Sequence, residues 1–208
     1  MIIKFNDLNR IHNLIKKDVL NSFVNVIEKN NYILGEEVES FENNYAKFTD
    51  SKYAISCANG TEALELLLRA CGISNGDEVL LPVNSFIATS IAVSRIGATP
   101  IFFDCDEYYL SDIEDMKKRV TKKSKAIITV HLYGQMSNMK KIKDFAKKHN
   151  LILIEDSAQA HGAKQSEYSP GKFSHGAAYS FYPGKNLGAW GDGGIVTTNS
   201  KTIRNKII

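Results

Sequence analysis

The chain has 208 residues, 43% of them hydrophobic and 24% charged, the composition of a globular protein with room for one large domain or two small ones. A net charge of +3 is too mild to call for nucleic acid, where a concentrated basic patch is expected, and no apolar run approaches the length of a membrane span. Three widely spaced cysteines, Cys57, Cys71 and Cys105, argue against a disulfide framework or zinc site and fit a reducing compartment. Asp7, Arg10, Lys16, Lys17 and Asp18 break up the first twenty residues, so no secretory signal is read and a cytoplasmic protein is expected.

Residues 8–29 read as an amphipathic helix. Ile11, Ile15, Val19, Phe23 and Ile27 recur every four residues, Leu14 and Val26 widen the stripe, and Asn30-Asn31 ends it. Tyr32 to Gly35 is a short extended piece. A second helix follows, with Val38, Phe41, Tyr45 and Phe48 on one face and Glu36 and Glu37 in its first turn. Residues 1–50 are expected to form a helical arm lying against something larger, and residues 51–208 the main domain. From residue 53 strands and helices alternate. Tyr53–Cys57 is a strand, Thr61–Cys71 a helix ended by Gly72, and Glu78–Leu81 a strand stopped by Pro82. Ser85–Ile96 is a helix, Pro100–Phe103 a strand, and Ser111-x-x-Glu114 a capping box opening a helix to about Val120. Ala126–His131 is a strand, Asn138–His149 a helix, and Leu151–Glu155, Ala177–Phe181 and Gly194–Thr198 are strands. Lysines at 117–125 and 140–148 fall on helices beside acidic residues and read as solvated faces. Seven short apolar runs separated by helices predict a three-layer α/β/α architecture with a mostly parallel sheet. Residues 164–175 read as a polar loop.

In such sheets ligands bind beyond the carboxyl ends of the strands. After the first strand, Asn59-Gly60-Thr61 opens a helix, either a phosphate site or an ordinary strand-to-helix turn. No Walker loop and no Gly-x-Gly-x-x-Gly occurs. After the second strand, Phe86 could stack on a planar ring or belong to the core. Asp104 and Asp106 after the third invite a metal reading, but with no clustered His or third carboxylate they read as a solvated loop, and His131 after the fourth either lines a site or is structural. Asp156, after Leu-Ile-Leu-Ile-Glu, needs a partner, because burying a lone carboxylate is costly. Gln159 follows it. After the sixth strand, Ser180-Phe181-Tyr182-Pro183-Gly184-Lys185-Asn186-Leu187-Gly188 places one lysine in a glycine-rich turn. There partial desolvation makes its amine a nucleophile, although an isolated loop lysine is ordinarily a surface group. One ligand gives all of these a role. Pyridoxal phosphate needs a lysine for its aldehyde, a carboxylate against its ring nitrogen, a phosphate cradle, a stacking partner and a donor to its phenolic oxygen.

At these residues the chain resembles the DegT/DnrJ-type sugar aminotransferases of the fold type I pyridoxal phosphate class. The matching stretches are Ile33-Leu34-Gly35, Asn59-Gly60-Thr61-Glu62-Ala63-Leu64, Gly76-Asp77-Glu78-Val79, Glu155-Asp156-Ser157-Ala158-Gln159-Ala160 and the run around Lys185 with Gly191-Asp192-Gly193-Gly194. The resemblance implies that Lys185 bonds to the cofactor aldehyde and carries the proton, and that Asp156 keeps the ring nitrogen protonated. It implies that Ser180, Gly60 and Thr61 bind the phosphate, that Phe86 stacks on the ring, and that Gln159 meets the phenolic oxygen. Lysine rather than histidine at 185 favours amino transfer over sugar dehydration. The implied reaction moves an amino group from an amino acid, typically glutamate, to a keto group on a nucleotide-linked deoxysugar for surface-polysaccharide or related biosynthesis, in a homodimer. Relatives continue into a smaller C-terminal domain that is absent here, so this chain alone is expected to bind cofactor weakly and turn over poorly. The rival reading is a non-catalytic relative serving as a binding or dimer partner. A generic nucleotide-binding fold is disfavoured by the missing glycine fingerprint.

Overall fold

In the computed structural model, which describes residues 3–208, seven strands form one sheet in the order β1-β7-β6-β5-β4-β2-β3. They are β1 (Tyr53–Cys57), β2 (Glu78–Pro82), β3 (Thr99–Phe103), β4 (Ser124–Val130), β5 (Ile152–Asp156), β6 (Gly176–Ser180) and β7 (Gly194–Thr198). Strands β2 to β6 run parallel. Strand β7 is antiparallel to both its neighbours, β1 and β6. The reversal follows from the connection: β6 and β7 are joined by a loop with no helix in it, and a parallel return would need a crossover. All seven predicted strands form, β1 and β7 with the expected bounds and the others with shifted ends. Pro82 closes β2 instead of stopping it short, and His131 and Phe181 fall just outside β4 and β6.

Helices α3 (Gly60–Ala70), α4 (Ala88–Arg95) and α7 (Lys201–Ile207) cover one face of the sheet. Helices α2 (Glu36–Phe48), α5 (Ile113–Arg119) and α6 (Met139–Lys148) cover the other. Successive strand residues point to opposite faces. In β5, Ile154 therefore joins Leu64, Leu67 and Ile128 in one core, while Leu153 joins Met116, Ile142 and Phe145 in the other. A third cluster sets Tyr45 of α2 against Tyr179, Phe181 and Ile195.

Two helix starts differ from expectation. Asp112, not Ser111, caps α5, its Oδ1 accepting from the Glu114 and Asp115 N–H groups. The Ser111 hydroxyl is drawn inward instead, 2.9 Å from Thr129 Oγ1. Helix α4 begins at Ala88 rather than Ser85. Ser85 is left in the turn, its Oγ 2.7 Å from Thr89 Oγ1.

Helix α1 (Asn9–Lys29) ends at Asn30 in a left-handed conformation, φ 53°. None of its residues is buried, and Ile11, Leu14, Phe23 and Ile27 stay exposed. Among the described residues none covers this stripe, whereas α2 docks against the sheet through Tyr45 and Ala46. Among the described residues, no helix is long and apolar enough to cross a membrane.

Candidate active site

Strand parity decides what faces the cleft at the carboxyl edge of the sheet. Asp156 shares a face with Ile154, and Ser180 with Ala178, so both look toward α3 and α4. Together with the loop after β6 they border a cleft of about 650 Å³. Every residue singled out in the sequence lines it: Gly60, Thr61, Phe86, Asp156, Gln159, Ser180 and Lys185.

The floor is Asp156. Its Oδ2 accepts from Thr89 Oγ1 at 2.7 Å and its Oδ1 from the Ala158 N–H at 3.2 Å. Burial pushes the carboxyl above the ordinary carboxylate range, and Thr89, Ala158, Lys185 and His131 pull it partway back. Because Thr89 gives its proton to Asp156, Ser85 must donate to Thr89, so two hydroxyls in series fix the carboxylate.

One wall is the N-terminus of α3. Asn59 caps it by accepting from the Glu62 N–H at 2.9 Å, and Glu62 Oε2 accepts from the Ala58 N–H at 2.7 Å. Among the described residues the Gly60 and Thr61 N–H groups have no partner, which leaves two donors at the positive end of the helix. Ser180 stands beside them, and a Cβ at Gly60 would come within 2.7 Å of Ser180 Cβ.

The opposite wall is the turn after β6. The Lys185 N–H donates to the Tyr182 carbonyl at 2.8 Å, closing the Pro183-Gly184 turn. A Cβ at Gly188 would run into the Pro183 backbone, so the turn folds this tightly only with glycine there. The Lys185 side chain is half-buried and forms no ion pair with any described residue, Asp156 included. Amine and carboxylate thus border one cleft without touching, close enough for the lysine charge to lower the Asp156 pKa. Phe86 is 70% exposed at the rim, outside the core. Gln159 Oε1 accepts from the Tyr133 N–H at 2.7 Å, which leaves its amide NH₂ as the unused end.

Sequence reasoning missed Thr89, His161 and Tyr45. His161 Nδ1 lies 2.6 Å from Tyr45 Oη, and its Nε2 lies 3.0 Å from the Ser180 carbonyl oxygen. A polar residue on an otherwise core-facing helix side was the available signal for Thr89; nothing local marked the other two. His131 borders the same cleft and is held in a buried hydrogen-bond network. Its Nδ1 accepts from the Ser137 N–H, so its Nε2–H donates to Glu155 Oε2 at 2.7 Å.

The family model for the DegT/DnrJ/EryC1/StrS aminotransferase family matches residues 13–208. The chain belongs to this family. It is 44% identical over 207 residues to a dTDP-3-amino-3,6-dideoxy-alpha-D-galactopyranose transaminase of Aneurinibacillus thermoaerophilus, covering 99% of this chain and 57% of that protein. Superposed on the structure of Streptomyces venezuelae DesV in complex with a ketimine intermediate, it gives a TM-score of 0.95 at 37% identity, covering 99% of this chain and 56% of that one. Against NtdA of Bacillus subtilis with bound cofactor PMP the TM-score is 0.94 at 32% identity, with 99% and 47% covered. The chain spans about half the length of the curated relatives it matches. The mostly parallel sheet and its flanking helices are those of the DegT/DnrJ/EryC1/StrS fold.

Proposed function

We propose that the chain is the cofactor-binding part of a pyridoxal-phosphate-dependent aminotransferase acting on a nucleotide-linked sugar. What carries this reading is that the Lys185 amine, the buried Asp156 carboxylate and the free N–H groups of α3 border one cleft. The residues fit the group. A buried carboxylate with no cationic contact fits a protonated ring nitrogen. The tight Gly60–Ser180 approach and the α3 N-terminus fit a phosphate. The exposed Phe86 ring fits a stacking partner, and the free amide end of Gln159 a donor to a phenolic oxygen.

When bound, pyridoxal phosphate supplies an aldehyde that captures amines and a ring that accepts electrons from the substrate carbon. The protein does the rest. Lys185 Nζ would hold the aldehyde of the resting cofactor and, as a free amine, would carry the proton at the reacting carbon. Asp156, fixed by Thr89 and Ala158, would hold the ring nitrogen's proton. Ser180, Gly60 and Thr61 would anchor the phosphate and so keep the ring in register with Lys185.

Glutamate as donor, a nucleotide-linked deoxysugar as acceptor and a role in surface-polysaccharide synthesis complete the proposal. A homodimer would cover the apolar stripe that α1 leaves exposed. The test is direct. Protein purified with pyridoxal phosphate should be yellow, borohydride should fix the label to the peptide carrying Lys185, and Lys185→Ala should lose both. Colourless wild-type protein that takes no label would instead support a non-catalytic relative.

A further inference from the structure

Strand β5 pairs with β6 only as far as Ala178, where the Ser157 N–H donates to the Ala178 carbonyl at 2.8 Å. The Ser180 carbonyl therefore lies beyond the ladder and would be an unpaired acceptor on that side. His161, from the loop after β5, supplies the missing donor through Nε2 at 3.0 Å. That assigns the proton to Nε2 and leaves Nδ1 to accept from Tyr45 Oη at 2.6 Å. Burial, first among the causes, lowers the imidazole pKa, in keeping with this neutral tautomer.

Tyr45 is itself fixed. It is buried, with Tyr179 and Phe181 edge-on at 5.3 Å. One turn further along α2, Phe48 presses on the next residue of the loop, since a Cβ at Gly162 would meet Phe48 Cζ at 3.0 Å. On the far side of the Ser180–Phe181 peptide, the Phe181 N–H donates to the Gly193 carbonyl at 2.8 Å. The peptide is thus clamped at both of its polar ends, which fixes the Ser180 Cα–Cβ bond against the Gly60 turn, while the hydroxyl oxygen itself accepts from the Tyr182 N–H at 3.3 Å.

We infer that His161, braced by Tyr45 of α2, is a positioning residue for the phosphate end of the site, acting through the Ser180 carbonyl. This rests on the proposed role of Ser180 as a phosphate ligand. Neither His161 nor Tyr45 is among the residues that line the cleft, so the effect should be confined to the phosphate contribution to binding. A residue that merely holds the fold together would weaken the site as a whole.

The experiment compares binding of pyridoxal phosphate with binding of pyridoxal, which has the aldehyde and ring but no phosphate, by quenching of protein fluorescence. Wild-type protein should prefer pyridoxal phosphate strongly. His161→Leu should lower that preference about tenfold while leaving pyridoxal binding unchanged, the size expected for one lost hydrogen bond at a desolvated site. His161→Gln, whose amide can both donate to Ser180 and accept from Tyr45, should restore it. Tyr45→Phe, which folds with the same aromatic packing, should lower it about threefold. Equal losses for both ligands in His161→Leu, or an unchanged ratio in His161→Leu and Tyr45→Phe, would overturn the inference. Wild-type protein showing no preference would instead overturn the phosphate role of Ser180, and this inference with it.

Discussion

Gly60 and Ser180 sit so close that only hydrogen fits between them: a Cβ on Gly60 would lie 2.7 Å from Ser180 Cβ. Both are backbone-restrained, Gly60 at the first turn of α3 and Ser180 as the last residue of β6. Neither yields easily. Gly60→Ala is expected to destabilise the protein by about 1–3 kcal/mol, the ordinary cost of overpacking, and to weaken pyridoxal phosphate binding by pushing Ser180 away from the helix. Gly191→Ala is the control, because a Cβ there meets nothing within 4 Å. Urea titrations of both variants, with and without cofactor, check the contrast. Equal stability of the two would mean that the Gly60 turn can shift freely.

The buried Glu155–His131 pair should carry stability rather than chemistry. Glu155 accepts from His131 Nε2 at 2.7 Å and from the Gly171 N–H at 2.9 Å. Glu155→Ala leaves two buried donors unpaired, and a loss of about 2–5 kcal/mol is expected from the cost of such groups. Glu155→Gln keeps an acceptor for His131 and should lose about half as much. Chemical denaturation with an unchanged m-value measures both. Equal losses would show that the His131 hydrogen bond contributes nothing.

How far the sequence foretold this arrangement follows from which forces are local. The strands were legible because runs such as Leu151-Ile152-Leu153-Ile154 have one plausible fate, burial between two helix layers. Strand direction was not legible, since the apolar content of Gly194–Thr198 is the same whichever way it runs. Only the helix-free connection and the pairing with β1 and β6 reverse it. That the strand-end residues would share one cleft was legible because β-sheet parity and helix N-termini follow local rules. Thr89, Tyr45 and His161 were not, because their partners lie 67, 116 and 19 residues away in the chain. The Ser111 capping box failed for the same reason: a distant hydroxyl, that of Thr129, pairs with the one that the local pattern assigned to the helix.

The cysteines give a prediction of reactivity. All three are free thiols. Burial pushes the Cys57 thiol up to about 12, with the Glu62 charge adding to it, and pushes Cys71 up to about 11 despite the nearby Lys206. The thiolate is the reactive form. At about pH 8, iodoacetamide should therefore label Cys57 and Cys71 slowly in the folded protein, Cys57 the slower, and both quickly in urea. Peptide mass mapping over a time course checks the order. Fast native labelling of Cys57 would mean that the segment leading into the Gly60 turn opens readily.

The most informative test sets stability against binding at Asp156. Its carboxyl is raised by burial above the ordinary value of 3.8. In the window between those two values the folded protein holds a proton that the unfolded chain has released. The stabilisation so gained is complete below the ordinary value and is lost as the pH rises through the raised one. Asp156→Asn has no such dependence. Without cofactor, Asp156→Asn should melt above wild type at about pH 7–8, and the gap should close on acidification toward about pH 4. Binding should move the other way: an amide cannot hold the proton on a pyridine nitrogen, so pyridoxal phosphate affinity and the yellow band should both fall. Thr89→Val is the companion variant. Losing that hydrogen bond raises the carboxyl further and should cost about 1 kcal/mol at neutral pH. Scanning fluorimetry across the pH range, with and without cofactor, reads all three proteins. If Asp156→Asn melts lower than wild type at every pH, the hydrogen bonds from Thr89 and Ala158 outweigh the cost of burying the charge, and Asp156 is a structural anchor as much as a ligand for the ring.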